Sequence, residues 1–318
     1  MKVANLSVSL ACALLLAPAV SAEYRVSGPY THENLSIFLI HGAAGGKTYL
    51  TLKDAVEQKK VVVSETKKVN ELAVENVSNE AVYIQGGDIV KGGQQDRVIS
   101  NDFVLPSKSG KVPVSAFCVE QGRWSQRGGE KVHLFESSKL MVSTKELKMA
   151  VKSGKDQSAV WREVANTQAA LKASAPASPT SLQLTLESQP VVDAVDSYLK
   201  ALTGIAAAKP DTVGFAFAVN GAVNSADIYS SPALFRAMWP KLLRSSAVEA
   251  VGQLKKNDRF QPATSEAIDA FLHAAEKGKQ SAVDVDRRVK LVTYAGDDEF
   301  LFESREGAGW IHRNYIKK

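Results

Sequence analysis

The stretch TVGFAFAVNGAVNSADIY, residues 212–229, decides how the second half of the chain folds. Asn220-Gly221 stands at its centre. This dipeptide is the strongest short-range hairpin signal, because a type I′ turn needs a positive φ at both central residues. The apolar runs on either side therefore predict two paired strands, over 212–219 and 222–229.

Helical patterns surround this hairpin. Pro190 is typical of a helix start, and that helix is predicted to end near Gly204. Ser231-Pro232 opens another helix, with a kink expected at Pro240. Further helices are predicted over 143–172, with interruptions, and over 265–277; Ser143 and Glu146 form a capping box for the first of them. The helix after Ser231 carries an apolar stripe at helical spacing, expected to be core: Leu234, Phe235, Met238, Trp239, Leu242 and Leu243.

The first half of the chain is rich in predicted strands. They cover 35–40, 60–64, 71–76, 81–85 and 111–119, with a short helix over 49–57, and strands return at 289–294, 300–303 and 310–315. The strand over 111–119 is apolar on both faces, so it is predicted to be central. The segment 173–180 is rich in Ala, Ser and Pro and is expected to be an exposed linker. The class is α+β: one domain over 23–318, with a β-rich N-terminal half packed against a helix–hairpin–helix C-terminal half.

The N-terminus has the pattern of a secretory signal peptide. Lys2 precedes an apolar stretch over 6–16, Pro18 breaks it, and Val20 and Ala22 are small residues suited to a cleavage site. We expect cleavage after Ala22 and a periplasmic or secreted protein. No later segment reaches the 18 apolar residues typical of a spanning helix, so no membrane span is expected.

Composition excludes several classes of function. The net charge of +5 comes from scattered basic residues, without the aromatic-interleaved stripe typical of nucleic-acid binding. The five histidines lack metal-ligand spacing, and Asp297-Asp298-Glu299 is interpreted as a hairpin turn, so no metal site is predicted. The Gly-rich segment 42–48 is one residue too short for a phosphate loop.

Chemistry-bearing residues concentrate in the region 86–124. Four glycines stand within 86–93, which predicts unusual φ values or a close backbone approach. Polar residues follow them directly, and more lie at the end of the predicted central strand, where sites are often found. The candidate ligand-binding residues are Gln95, Asp96, Arg97, Cys118 and Arg123, with Glu120 as the candidate catalytic residue.

Two interpretations of this region stay open. Arg97 and Arg123 could bind a carboxylate or phosphate, and Glu120 could act as a general acid or base. Alternatively, pairs such as Arg97–Glu120 or Arg123–Asp96 only tie two loops together, and Cys118 belongs to the core.

The same residues carry a family resemblance. The turn ending in Gln95-Asp96-Arg97 and the string CVEQGRW, residues 118–124, are similar to the "ARG and rhodanese-phosphatase-superfamily-associated protein" domain family. The resemblance is strongest over 34–251 and includes the hairpin at 214–221 and the segment SPALF at 231–235. The turn departs from the family pattern at Gln94 and Asp96, where the family has lysine and asparagine. The resemblance implies a link to nucleotide or ADP-ribose chemistry.

The predicted function is therefore an exported protein that binds or processes a small polar or anionic ligand. The alternative is a non-catalytic envelope protein that binds another protein, in which the polar region only braces the fold.

Overall fold

The structure, a computed structural model, describes residues 24–43, 45–153, 156–207, 209–255 and 259–318. The predicted signal sequence and its cleavage site after Ala22 lie outside the described residues. Within the described ranges, no helix has both the length and the apolar composition to cross a membrane.

Seventeen strands and seven α-helices form the regular structure of the described residues, which confirms the α+β class. The strands are β1 (Arg25–His32), β2 (Leu35–His41), β3 (Leu50–Thr51), β4 (Val61–Glu65), β5 (Glu71–Asn76), β6 (Val82–Ile84), β7 (Asp88–Gly92), β8 (Arg97–Ile99), β9 (Phe103–Leu105), β10 (Gly110–Cys118), β11 (Leu134–Met141), β12 (Thr212–Val219), β13 (Ala222–Tyr229), β14 (Lys279–Asp284), β15 (Val289–Ala295), β16 (Glu299–Glu306) and β17 (Gly309–Lys317). The helices are α1 (Leu52–Glu57), α2 (Lys145–Ser153), α3 (Gln157–Leu171), α4 (Leu182–Leu186), α5 (Gln189–Leu202), α6 (Pro232–Gln253) and α7 (Ser265–Ala275).

The strands form three sheets. An antiparallel eight-stranded sheet has the order β1-β2-β12-β13-β17-β16-β15-β14, so both ends of the chain contribute to it. Six strands close into a barrel in the order β10-β5-β4-β11-β7-β8, and β3, β6 and β9 form a small third sheet.

The predicted hairpin lies at the centre of the large sheet. Asn220 and Gly221 have φ values of 51° and 79°, as a type I′ turn requires, and Val219 pairs with Ala222. In β12, Phe215 and Phe217 point to one face and the small Ala216 to the other, following the two-residue period of a strand. The large sheet is therefore packed on both faces.

Helices cover both faces of the sheet. The apolar stripe of α6 is buried against Phe215 and Phe217, as predicted. On the opposite face, α7 packs Ile268 and Phe271 against Ala216.

The barrel has an apolar interior built by strand alternation. Val114 and Ala116 of β10 point inward with Val63 of β4, and Phe117 points outward, as the sequence predicts for this strand. Cys118 is a free, fully buried cysteine on the same inward face as Ala116.

The structure differs from the sequence prediction around the predicted helix 143–172. Thr144, and not Ser143, caps α2 by accepting a hydrogen bond from the backbone N–H of Leu147 at 3.2 Å. Ser143 is buried instead. The predicted helix is two helices, because Asp156 begins α3 by accepting from the backbone N–H of Ser158.

Candidate functional site

The six residues predicted as a site lie on two sides of β8. By strand alternation, Arg97 and Cys118 point into the barrel with Glu65. Asp96, Glu120 and Arg123 form a separate cluster outside it. The sequence prediction therefore identified residues of two neighbouring polar clusters.

Inside the barrel, Arg97 is 1% exposed and its guanidinium lies 3.6 Å from the carboxylate of Glu65. Its Nη1 donates to the backbone carbonyl of Gln95 at 2.8 Å. The side-chain amide of Gln95 is also buried, and neither of its polar atoms has a hydrogen-bond partner. Burial raises the pKa of the Cys118 thiol to about 11, against the influence of Arg97, so this thiol is a poor nucleophile at neutral pH.

Outside the barrel, Arg127 joins the predicted residues, although the sequence analysis did not select it. Its Nη1 lies 2.9 Å from Oδ2 of Asp96 and 3.1 Å from Oε1 of Glu120, and its Nη2 lies 2.9 Å from Glu130. Arg123 pairs with the other Glu120 oxygen at 2.7 Å. Two arginines thus neutralise two fully buried carboxylates.

Neighbouring backbone and hydroxyl groups donate further hydrogen bonds to the oxygens of Asp96 and Glu120. Asp96 also accepts from the backbone N–H of Gly92 at 3.0 Å and from the hydroxyl of Ser181 at 2.9 Å. Glu120 accepts from the Ser178 hydroxyl at 2.6 Å and from the backbone N–H of Asp96 at 3.1 Å. Three of the four oxygens accept two hydrogen bonds each, and Oε2 of Glu120 accepts one and forms the ion pair with Arg123, so donors surround both carboxylates.

This saturation limits what Glu120 can do. Burial alone would raise the pKa of its carboxyl, but Arg123, Ser178 and the Asp96 N–H hold the pKa below its usual value. An ionised carboxylate that is surrounded by donors and two arginines is poorly suited to proton transfer.

The local backbone geometry requires glycine at two positions of this region. Gly92 and Gly93 have φ values of 119° and 54°, and a Cβ on Gly93 would lie 2.2 Å from the ring of Phe135. Their carbonyl oxygens accept hydrogen bonds from Arg123 at 3.1 and 3.0 Å. The Gly-rich turn therefore allows the backbone to reach the arginine.

A second buried network lies where the barrel meets the large sheet. His312 on β17 bridges two carboxylates: its Nδ1 lies 2.8 Å from Asp102, after β8, and its Nε2 lies 3.0 Å from Asp227 on β13. All three residues are at most 3% exposed. The ring stacks on Tyr229 at 4.7 Å, which fixes its plane. This arrangement is an Asp–His–Asp relay in the protein interior.

The relay is charged. Burial would lower the pKa of His312, but the two carboxylates raise it above its usual value. Conversely, burial would raise the pKa of Asp102 and Asp227, but His312 and nearby lysines hold both below the usual range. Both ring nitrogens of His312 face a carboxylate, so the site favours the protonated form, which donates to both.

Lys148 and Lys152 bring two more positive charges to this network from one face of α2. Both line, with His312, Asp227 and Asn314, a polar cavity of about 10 Å³, the size of one water molecule. Lys148 is 8% exposed, and its Nζ lies 5.4 Å from the ring centroid of Phe217. Among the described residues, neither ammonium group has a hydrogen bond or a carboxylate within ion-pair distance. Burial lowers the pKa of Lys152, although Asp102 and Asp227 oppose this.

The sequence offered one weak signal for this network. Asp227 and His312 lie within predicted strands, and charged or titratable groups are seldom fully buried. Their partners could not be read from the sequence, because 210 residues separate Asp102 from His312.

Neither network has the arrangement of a metal centre. No group of three or more His, Cys, Asp or Glu side chains in the described ranges is positioned to hold a metal ion. Both ring nitrogens of His312 already face carboxylates. In the described part of the Gly-rich segment 42–48, which precedes β3, Lys47 pairs with Glu306 at 3.0 Å.

Comparison with known proteins gives one result. No curated protein and no solved structure matches the chain. The sequence profile of the ARG and Rhodanese-Phosphatase-superfamily-associated Protein domain matches residues 23–316, which include both polar networks. This match covers nearly the whole chain, so the protein belongs to that family.

Proposed function

We propose that this chain is an exported protein that binds a small anionic ligand, through a carboxylate or phosphate oxygen, at the cavity beside His312. The observation that carries the proposal is the pair of unpaired ammonium groups of Lys148 and Lys152 at a polar cavity. The proposal keeps the ligand class expected from the sequence and assigns it to a different site.

The charge balance of the network favours an anion. His312, Lys148 and Lys152 supply three basic groups against the two carboxylates of Asp102 and Asp227. The buried carboxyl of Glu249 also interacts with Lys148, but burial raises its pKa and so disfavours its charged form. An uncompensated charge in the interior is costly, because the protein solvates it less well than water does. One anionic oxygen in place of a water molecule would neutralise the cluster.

Lys152 is the residue we assign to proton transfer, if the ligand is also processed. Its pKa is lowered by burial, and it lies near the relay carboxylates. A lysine of lowered pKa releases its proton more readily than a free lysine, whereas the His312 ring is held between two acceptors. The side chain of Lys152 is half-buried, so we place ligand access on its side.

Ligand-induced stabilisation tests this function. Thermal unfolding is measured with inorganic phosphate, acetate, citrate, nucleotides and ADP-ribose, for the wild type, Lys148→Met and Lys152→Met. A ligand at 100 times its dissociation constant should stabilise the wild type by about 2.7 kcal/mol, and both variants should lose that gain. Lys145→Met is the matched control, because Lys145 lies on the same helix but bonds the exposed carbonyl of Lys318. An equal gain in all three variants would contradict the site.

The alternative function, a non-catalytic envelope protein, has one observation in its favour. The saturated cluster of Asp96, Glu120, Arg123 and Arg127 connects β8 to the 173–180 segment through Ser178. A cluster that only stabilises the fold needs these contacts and does not need a ligand. If no compound shifts the wild type and Arg127→Ala lowers stability, this alternative is favoured. Export is tested separately by N-terminal sequencing of exported protein, with Glu23 expected as the first residue.

A further inference from the structure

A third polar group lies at the edge of the large sheet, away from the two networks above. Ser27 on β1 and His41 on β2 point to the same face, and Asp211 precedes β12. The Ser27 Oγ lies 2.8 Å from His41 Nε2, and His41 Nδ1 lies 3.0 Å from Asp211 Oδ1. A serine hydroxyl, an imidazole and a carboxylate are thus connected in order through the two opposite ring nitrogens.

The surroundings of Ser27 suit a nucleophile better than a simple brace. The Lys209 ammonium lies 3.3 Å from the same Oγ, and it also donates to the Tyr30 hydroxyl. β1 is an edge strand, and its pairing with β2 is irregular between Ser27 and Tyr30. Ser27 is half-buried, while His41 is only 3% exposed. The imidazole of His41 is therefore held in the interior, and the hydroxyl of Ser27 lies at the edge of the sheet.

The nearby charges indicate which substrates this edge would favour. Arg25 pairs with Asp211 at 2.9 Å, and Lys209 places a second cation beside Ser27. In the described contacts among Ser27, His41, Lys209 and Arg25, the only carboxylate is that of Asp211, whose side chain is 51% exposed. A substrate with its own anionic group would find a cation next to the reacting hydroxyl.

We propose that Ser27, His41 and Asp211 form an acyl-transfer site that hydrolyses small esters carrying an anionic group. Ser27 Oγ adds to the ester carbonyl carbon while its proton moves to His41 Nε2, and Lys209 pairs with the anionic group of the substrate. The carbonyl–alkoxy bond then breaks, and His41 returns the proton to the leaving alcohol. Water repeats the same steps on the acyl-serine, releases the acid and restores Ser27. Asp211 is a positioning residue that keeps the proton on Nδ1.

A fluorophosphonate probe, which reacts with activated serines, tests this site on the full chain. The wild type should be labelled at Ser27, as identified by mass spectrometry of the modified peptide. Ser27→Ala should abolish labelling, and Ser265→Ala should leave it unchanged. Ser265 is a matched control, because its Oγ contacts the neighbouring carbonyl of Gly28 at 3.3 Å, with His41 not among its contacts.

A second variant separates catalysis from folding. Asp211→Asn should slow labelling by about 100-fold or more while the melting temperature stays near that of the wild type, and Asp211→Glu should partly restore the rate. Lys209→Met should lower kcat/KM more for an anionic ester than for a neutral one. Absence of labelling in folded wild type, labelling at another serine, or equal labelling in Ser27→Ala would overturn the proposal. None of these outcomes depends on the His312 cavity.

Discussion

Lys148 and Lys152 stand one helical turn apart on α2, and both direct a positive charge into the interior. Buried lysines are normally paired, since the protein solvates an ammonium group less well than water does. Here the relay around His312 already satisfies its two carboxylates. The two lysines therefore add charge that the fold itself does not need, and this separates them from the saturated arginines of the Glu120 cluster.

The first prediction compares two substitutions in this network. Lys148→Met leaves two cations against two carboxylates, so its free energy of unfolding should lie within about 1 kcal/mol of the wild type. His312→Gln leaves two buried carboxylates without their shared cation and should cost about 3–5 kcal/mol. Urea unfolding measures both. A larger loss for Lys148→Met than for His312→Gln would refute the charge balance.

The second prediction concerns pH. The folded-state pKa of His312 is raised, so its stabilisation is fully present below the unfolded value of about 6.5 and is lost as pH rises through the folded pKa. The lowered pKa of Asp102 acts in the opposite sense and matters only in acid. The wild type should therefore lose stability as the pH rises above about 6.5 and through the folded pKa of His312. His312→Gln should remove this loss, and His273→Gln should keep it, because the His273 side chain is 53% exposed.

At the scale of elements, signals carried by neighbouring residues predicted some helices and turns correctly. Pairing between strands that are distant in the sequence was not predicted. The Asn220-Gly221 hairpin and the α6 stripe were predicted correctly, because turn chemistry and helical periodicity are properties of neighbouring residues. Seven strands were missed: β1, β3, β7, β8, β9, β11 and β14. Of these, β8 and β9 have only three residues each, a pattern too short to identify. The capping of α2 was predicted one residue too early, because Ser143 and Thr144 are both good capping residues.

The third prediction tests the hairpin turn. Gly221 has a φ of 79°, and a Cβ there would lie 2.2 Å from the backbone oxygen of Gln261. Gly221→Ala should therefore cost about 1–3 kcal/mol. Gly204→Ala is the control: a Cβ at Gly204 would meet nothing within 4 Å, so this change should be neutral or slightly stabilising. Equal stability of the two variants would mean that the turn relaxes freely.

At the scale of the whole molecule, the large sheet combines segments that are far apart in the chain. β2 pairs with β12, with Phe38 opposite Ala216, and β13 pairs with β17, with Ala226 opposite Tyr315. The sequence predicted two halves that pack together, but not that strands of the first half enter the sheet of the second. The β13–β17 pairing brings Asp227 beside His312, and Asp102 reaches the same ring from outside that sheet, which explains why a site of this kind is invisible in a single sequence.

The last prediction follows from this interleaving. A specific protease site is inserted between Pro176 and Ala177, in the segment 173–180, where both residues are exposed. Cleavage should leave the two fragments associated, because separating them would expose the β2–β12 ladder and the apolar faces of β12. Size-exclusion chromatography of the cleaved protein should give one peak at the intact size, and urea should be needed to separate the fragments. Two fragments that elute separately and each retain cooperative unfolding would instead establish independent domains.

A site inserted between Lys277 and Gly278, before the edge strand β14, is the comparison. Cleavage there breaks the chain between α7 and the segment β14–β17. The C-terminal fragment should still remain associated with the rest of the protein through the β13–β17 pairing.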